Sequence, residues 1–188
     1  MAERVCPWWM GYVLASPLRK IWQDPHRILA AHVQDGMTVL EPGPGMGFFT
    51  LELARLVGSS GRVIAVDMQE KMLDALVKKA QRVGLSQQIQ IRQSPPDSLG
   101  IEDLRDQVDF VLAFAVVHEF PNRDDFFRQT ANVLKKNGTM LLAEPSGHVN
   151  AEAWEATLLS AKDAGLPMER PLDIARSHAA LLIKRASA

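Results

Sequence analysis

The chain has 188 residues, 47% hydrophobic and 23% charged, with 21 Lys+Arg against 22 Asp+Glu for a formal charge of −1. That length suits one domain with a real core, the ordinary composition excludes collagen-like, low-complexity and disulfide-scaffold classes, and the balanced charge gives no pull toward nucleic acid. The single cysteine, Cys6, excludes an intramolecular disulfide, a multi-cysteine zinc site and an iron–sulfur cluster made by this chain alone.

Residues 1–36 hold Trp8, Trp9, Trp22, the only tyrosine (Tyr12), and Pro7, Pro17 and Pro25. Pro17 and Pro25 are placed to start or break helices, so two short helices laid against the main domain are expected. Their aromatics have two readings: a lid that excludes water over an apolar or aromatic acceptor, with Trp8, Trp9 and Tyr12 as its residues, or simple glue. Arg4 before an apolar stretch imitates a signal peptide, but Glu3 cancels the charge, Pro7 interrupts the stretch and Pro17 spoils a cleavage site, so a cytoplasmic location is expected. The longest strongly apolar run, Phe110 to Val117, falls far short of the roughly 20 residues that span a bilayer, and no membrane span is expected.

From Met37 onward, short apolar runs alternate with helical patterns. Strands are expected at Thr38–Glu41, Val63–Asp67, Ile89–Arg92, Phe110–Ala115, Thr139–Ala143 and Ala179–Lys184. The first, second, fourth and fifth are almost continuously apolar, as strands buried on both faces of a parallel sheet are. Between them, Phe49, Leu53, Leu56 and Val57, then Met72, Leu73, Leu76, Val77 and Ala80, then Phe126, Phe127, Val133 and Leu134 recur at helical spacing. Asn122 and Asn150 mark helix starts, Gly84 and Asn137-Gly138 helix stops. The alternation predicts an α/β, doubly wound, mostly parallel sheet. The expected organisation is an N-terminal helical segment, 1–36, followed by one domain, 37–188.

Directly after the first strand comes Glu41-Pro42-Gly43-Pro44-Gly45-Met46-Gly47. A glycine-rich turn between strand and helix lets the backbone approach a ligand closely and leaves helix N-terminal amides to meet it. Asp67 ends the next strand, about 20 residues past the turn, the spacing at which a carboxylate accepts both hydroxyls of a ribose. Together these indicate an adenosine-containing cofactor. The dinucleotide fingerprint needs a small residue three places after Gly45, where this chain has Phe48, and there is no phosphate-loop lysine motif. Glu41, close to the glycines, suits a ligand with a cationic amino group. Glu41 and Asp67 end buried strands, where an unpartnered charge is costly, which favours ligand roles.

In V-L-E-P-G-P-G-M-G and Val66-Asp67-Met68 the sequence resembles the class I S-adenosylmethionine-dependent methyltransferases, and within them compact bacterial enzymes of the quinone- and sterol-methylating type. F-V-L-A-F-A-V-V-H-E-F (Phe110–Phe120) resembles the family's fourth-strand motif, and Val133 to Met140 its stretch before the fifth strand. The resemblance implies a Rossmann-like, seven-stranded sheet with an antiparallel last strand. It also implies that Glu41, Gly43, Pro44, Gly45, Gly47, Asp67, Met68, Ser94, Phe114 and Ala115 hold S-adenosyl-L-methionine, with S-adenosyl-L-homocysteine as product. Met68 would lie against adenine. After the third strand, Gln93-Ser94-Pro95-Pro96-Asp97 departs from the family pattern, leaving Ser94 or Asp97 to contact the adenine amino group.

Methyl transfer from a sulfonium needs positioning and desolvation, and a base only where the acceptor loses a proton. In doubly wound sheets the carboxyl ends of strands carry the reaction, which singles out His118-Glu119 and the segment Glu144 to His148. His118, with Glu119, is the candidate catalytic pair. The competing reading has them bracing the next helix. A metal held by His118, Glu119, Glu144 and His148 needs geometry that sequence does not carry, and no metal is expected. The expected acceptor is a small molecule. Nucleic acid is disfavoured because the fourth strand lacks the Pro-Pro run that grips a flipped base's amino group, and a monomer or homodimer is expected. The alternatives are a non-catalytic S-adenosylmethionine-binding module and an NAD(P)-dependent oxidoreductase. If Asp67 holds the ribose, Asp67→Ala should weaken S-adenosylhomocysteine by about 1 to 3 kcal/mol in a calorimetric titration; unchanged affinity would place the ribose elsewhere.

Overall fold

The computed structural model describes residues 22–185, so Trp8, Trp9 and Tyr12 of the expected lid lie outside the described residues. The chain divides into two compact units, Met1–Pro96 and Asp97–Ala188.

In the first unit, α1 (Pro25–Leu29) is followed by β1 (Thr38–Pro42), α2 (Thr50–Leu56), β2 (Arg62–Asp67), α3 (Glu70–Arg82), a single 3-10 turn and β3 (Ile89–Gln93). Pro25 opens α1 at the position where a missing N–H costs nothing, and Asp24 caps it by accepting from the His26 amide. β2 pairs in parallel with β1 on one side, Glu41 opposite Ala65, and with β3 on the other, Asp67 opposite Gln93. Val63, Ile64, Ala65 and Val66 are each 1% exposed or less, which is why the strand reads as an unbroken apolar run. α3 turns Met72, Leu73, Leu76 and Ala80 inward and leaves most of its charges outside, the half-buried Lys79 excepted; it ends at Arg82, just before Gly84, the glycine read as its stop.

The second unit contains β4 (Val108–Phe114), a 3-10 turn (Val117–Glu119), α4 (Arg123–Val133), β5 (Leu134–Pro145), α5 (Ala151–Asp163), β6 (Met168–Pro171) and β7 (Ser177–Ile183). β4 and β5 are parallel, whereas β7 runs antiparallel to β5 and to β6. Among the described residues, seven strands, parallel within β1–β2–β3 and β4–β5 and antiparallel at β7, match the Rossmann-like class expected. Asn122 and Asn150 cap α4 and α5, Asn122 accepting from the amides of both Asp124 and Asp125.

Two expectations need correction. The helix read as stopping at Asn137-Gly138 ends at Val133, and Leu134 already starts β5. Tertiary pairing wins over the local stop signal: the Asn137 amide donates to the Lys184 carbonyl, the Lys184 amide to that of Gly138, and the Lys184 ammonium to that of Leu134 at 2.6 Å. The register jumps here, Val108 facing Leu134 but Phe110 facing Thr139, so residues 135–138 bulge out with Asn137 at a φ of 63°. β6 was not read from sequence at all. Its four residues are all exposed, so it carries no apolar signature and exists through its ladder to β7.

Phe126 and Phe127 are fully buried on α4, and each contributes roughly 1.5 to 3 kcal/mol by leaving water. The cap adds a smaller term. Asn122→Ala should lower stability by about 1 kcal/mol, read as a lower urea midpoint at unchanged slope.

Candidate functional site

In the first unit, β1 delivers Glu41 to the mouth of the glycine turn. The turn is tied back to β2 by the Gly43 amide donating to the Val66 carbonyl at 2.8 Å and closed by the Gly47 amide on the Pro44 carbonyl at 3.0 Å. Gly47 has a φ of 83°, which favours glycine, and a Cβ there would also press on Leu76 Cδ1 at 2.5 Å. At Gly45 a Cβ would meet nothing within 4 Å. That open side is where a ligand can approach the backbone.

Glu41 is 3% exposed, and among the described residues its Oε2 has no hydrogen-bond partner; neither has Oγ1 of Thr50 beside it. Burial pushes the Glu41 carboxyl up from 4.5 to about 8, with the Thr50 hydroxyl opposing and the Asp67 charge adding to the rise. A buried acid with an unused oxygen, next to an open glycine turn, fits a ligand that brings a cationic amino group. Asp67 is also raised, first by burial, while the amides of Gln69, Gly45 and Met68 pull it back; the Gln69 amide donates to its Oδ1 at 2.9 Å. Met68 is 38% exposed directly beside this acid, an apolar surface suited to a base. The Ser94 amide donates to the Asp67 carbonyl, which keeps Ser94 at the end of β3. The first unit therefore brings together Glu41, Gly43, Pro44, Gly45, Gly47, Asp67, Met68 and Ser94, and these residues fit the cofactor that the sequence pattern implies.

In the second unit, Phe114 is the last residue of β4, and Ala115 follows at a φ of 56°, its amide donating to the Ala143 carbonyl at 2.7 Å. An alanine in the left-handed region is strained, and such strain concentrates at functional loops. The loop delivers His118 to Glu144. The His118 Nδ1 is hydrogen-bonded to Glu144 Oε2, while the Val117 amide donates to Oε1 at 2.8 Å. Glu144 is 1% exposed and His118 about a quarter exposed. The Glu144 hydrogen bond is the largest cause raising the His118 pKa above its ordinary value; burial opposes it. With Nδ1 engaged, Nε2 is the nitrogen left to act on another molecule.

Glu119, expected as the partner of His118, stands with Oε1 3.9 Å from Nε2, too far for a hydrogen bond; Glu144 holds the imidazole instead. The sequence puts Glu144 in the segment after the fifth strand, but its pairing with His118 is visible only in the structure. The signal was present: M-L-L-A-E is an acid ending a buried strand, the same feature that singled out Glu41. His148 is exposed and meets His118 edge-on at 6.0 Å between ring centroids. No group of three or more His, Cys, Asp or Glu is placed to hold a metal ion among the described residues. Nor is any helix among them long and apolar enough to cross a membrane.

Residues 33–169 match a family model described as a methyltransferase domain. A demethylmenaquinone methyltransferase from Lactobacillus johnsonii is 31% identical over 127 residues, 66% of this chain and 51% of that protein. A ubiquinone/menaquinone biosynthesis C-methyltransferase, UbiE, from Azotobacter vinelandii is 30% identical over 142 residues, 76% of this chain and 55% of that protein. The chain thus spans about half the length of the curated relatives it matches. A crystal structure of a SAM-dependent methyltransferase from Aquifex aeolicus superposes with a TM-score of 0.85 at 24% identity, covering 96% of this chain and 100% of that one. The 4+2 cyclase SpnF does so at 0.64 and 20% identity, covering 78% and 57%. These likenesses show the fold.

The raised Glu41 and His118 values act in one direction on stability. A folded value above the unfolded one means that the contribution is complete below the unfolded value, 4.5 for Glu41 and 6.5 for His118, and fades as pH rises through the folded value. A cation bound at Glu41 should reverse its part by ionising the acid. Titration of S-adenosylhomocysteine at pH 7 in buffers of different ionisation enthalpy should therefore show release of up to about one proton. Glu41→Gln should abolish that release and cost roughly 1 to 3 kcal/mol of affinity. Heats identical in every buffer would remove Glu41 from the ligand's amino group.

Proposed function

The chain belongs to the class I S-adenosylmethionine-dependent methyltransferases, and from that membership we propose that it methylates a small, apolar, quinone-type acceptor with His118 as general base. Membership sets aside the NAD(P)-dependent oxidoreductase alternative. The names of the two relatives, both acting on menaquinone- or ubiquinone-type molecules, support the acceptor class, as does the near-zero charge of this chain. The observation that carries the base is the buried Glu144 carboxylate, hydrogen-bonded to His118 Nδ1.

When bound, S-adenosylmethionine supplies a methyl group on a sulfonium sulfur, already activated for in-line transfer. The residues of the first unit bind and orient it. Glu41 meets the amino group, Asp67 accepts the ribose hydroxyls, Met68 covers the adenine face, and the amides of the glycine turn close around the amino-acid end. His118 has a different task. An acceptor that gains a methyl at a hydroxyl or at an aromatic ring carbon must lose a proton, and Nε2 takes it. Glu144 fixes the tautomer by accepting from Nδ1–H and stabilises the imidazolium that forms. Glu144 is held by the Val117 amide, so the histidine has one orientation rather than several. We assign residues 1–36, with Trp8, Trp9 and Tyr12, to a lid over the acceptor, and the protein to the cytoplasm as a monomer or homodimer.

A base must be neutral to accept a proton, and the His118 value is raised. Turnover of a demethylquinol should therefore increase with pH through a value above the ordinary histidine range. His118→Ala should reduce kcat by roughly 10² to 10⁴. Glu144→Gln removes the main cause of the raised value, so the acid limb of the profile should move to lower pH while kcat falls. A rate independent of pH between 5.5 and 8, with His118→Ala turning over like the wild type, would mean that positioning alone does the work.

A further inference from the structure

Helix α3 reaches the glycine turn at two points. Leu76 occupies the space where a Gly47 Cβ would lie. Three residues on, and so on the same face of the helix, the Lys79 ammonium donates to the Met46 carbonyl oxygen at 2.9 Å. Met46 is 3% exposed and Lys79 half-buried, so this bond is shielded from competing water. Burial lowers the Lys79 pKa, the mark of a cation partly stripped of its hydration, for which a carbonyl oxygen compensates. The adjacent Lys78 is exposed on the same helix.

The turn needs such a brace. Gly43, Gly45 and Gly47 all have positive φ, between 53° and 83°, and glycine backbones lose the most conformational freedom on ordering. Any residual motion in the ligand-free turn is lost on binding and subtracts from affinity. α3 is 13 residues long and begins at Glu70, directly after the Gln69 amide that holds Asp67. One rigid element is therefore bonded to the turn and rooted beside the ribose acid.

We propose that Lys79 is a positioning residue for the cofactor: its ammonium pins the Met46 carbonyl and so presets the amides of residues 45–47 for the ligand's amino-acid end. This rests on the cofactor assignment of the first unit. The test compares wild type, Lys79→Met, Lys79→Arg and Lys78→Met by calorimetric titration with S-adenosylhomocysteine, by ligand-free melting, and by hydrogen exchange over residues 43–50. Lys79→Met should raise Kd about tenfold, as loss of a charge-assisted hydrogen bond does. Its turn should exchange faster, its ligand-free melting point should stay within a degree or two of that of Lys78→Met, and Lys79→Arg should restore most of the affinity. Wild-type affinity in Lys79→Met, or weakened affinity with unchanged exchange in the turn, would overturn the proposal. If the wild type itself fails to bind, the cofactor assignment falls, and the exchange rates alone decide whether Lys79 pins the turn. Should Lys79→Met not fold, Lys79→Gln, which keeps a neutral donor, is judged by the same readouts.

Discussion

A carboxylate at the end of a buried strand has no water to hold its charge, and much of this molecule's chemistry follows from how two such groups meet that constraint. Glu144 is satisfied from within. Both of its oxygens are engaged, one by the Val117 amide and one by His118, and the charge becomes an instrument for orienting an imidazole. Glu41 is left incomplete. Its Oε2 has no partner among the described residues, and the acid holds its proton up to about pH 8. The first carboxylate is finished by the fold, and the second is the one that the proposed function gives to a ligand.

The same constraint explains how much could be read in advance. Acids at the ends of apolar strands are legible because apolar runs are rarely terminated by charge without a reason, and Glu41 and Asp67 were singled out on that ground. The glycine turn was legible because its φ angles require glycine and its position between strand and helix is local information. What sequence could not supply was pairing between distant segments. Glu119, adjacent to His118, was the natural partner to name; the imidazole instead reaches Glu144, 26 residues away along the chain, because β4 and β5 lie side by side. Lys79, beside Lys78 on a charged helix, likewise carries no local signal of its bond to the Met46 carbonyl. β6 and the early start of β5 failed for the same reason: their strand character lies in ladders to β7 and Lys184, not in their own side chains.

The fold by itself does not choose a reaction, since a cyclase shares it with the methyltransferases. What distinguishes chains on this scaffold is carried by few residues. In this one the part of the first unit that the proposal gives to the cofactor is mostly backbone and two acids, Glu41 and Asp67. Under the proposed function, discrimination is assigned to the aromatic N-terminal segment and to the loops after β4 and β5, where His118 and His148 stand.

Ala115 gives the loop after β4 an unusual main-chain constraint. A residue with a side chain at a φ of 56° is tolerated because the Ala143 carbonyl holds its amide, and only a small side chain is comfortable there. The backbone path into His118 is thereby set by main-chain bonding rather than by the identity of the residues around it. Under the proposed function, substitution of the half-buried Val116 or Phe120 reshapes the acceptor side of the loop while the buried Val117 and the path into His118 are kept. Acceptor choice and the placing of the proposed proton acceptor then rest on different atoms of one loop, side chains for the first and main-chain bonding for the second.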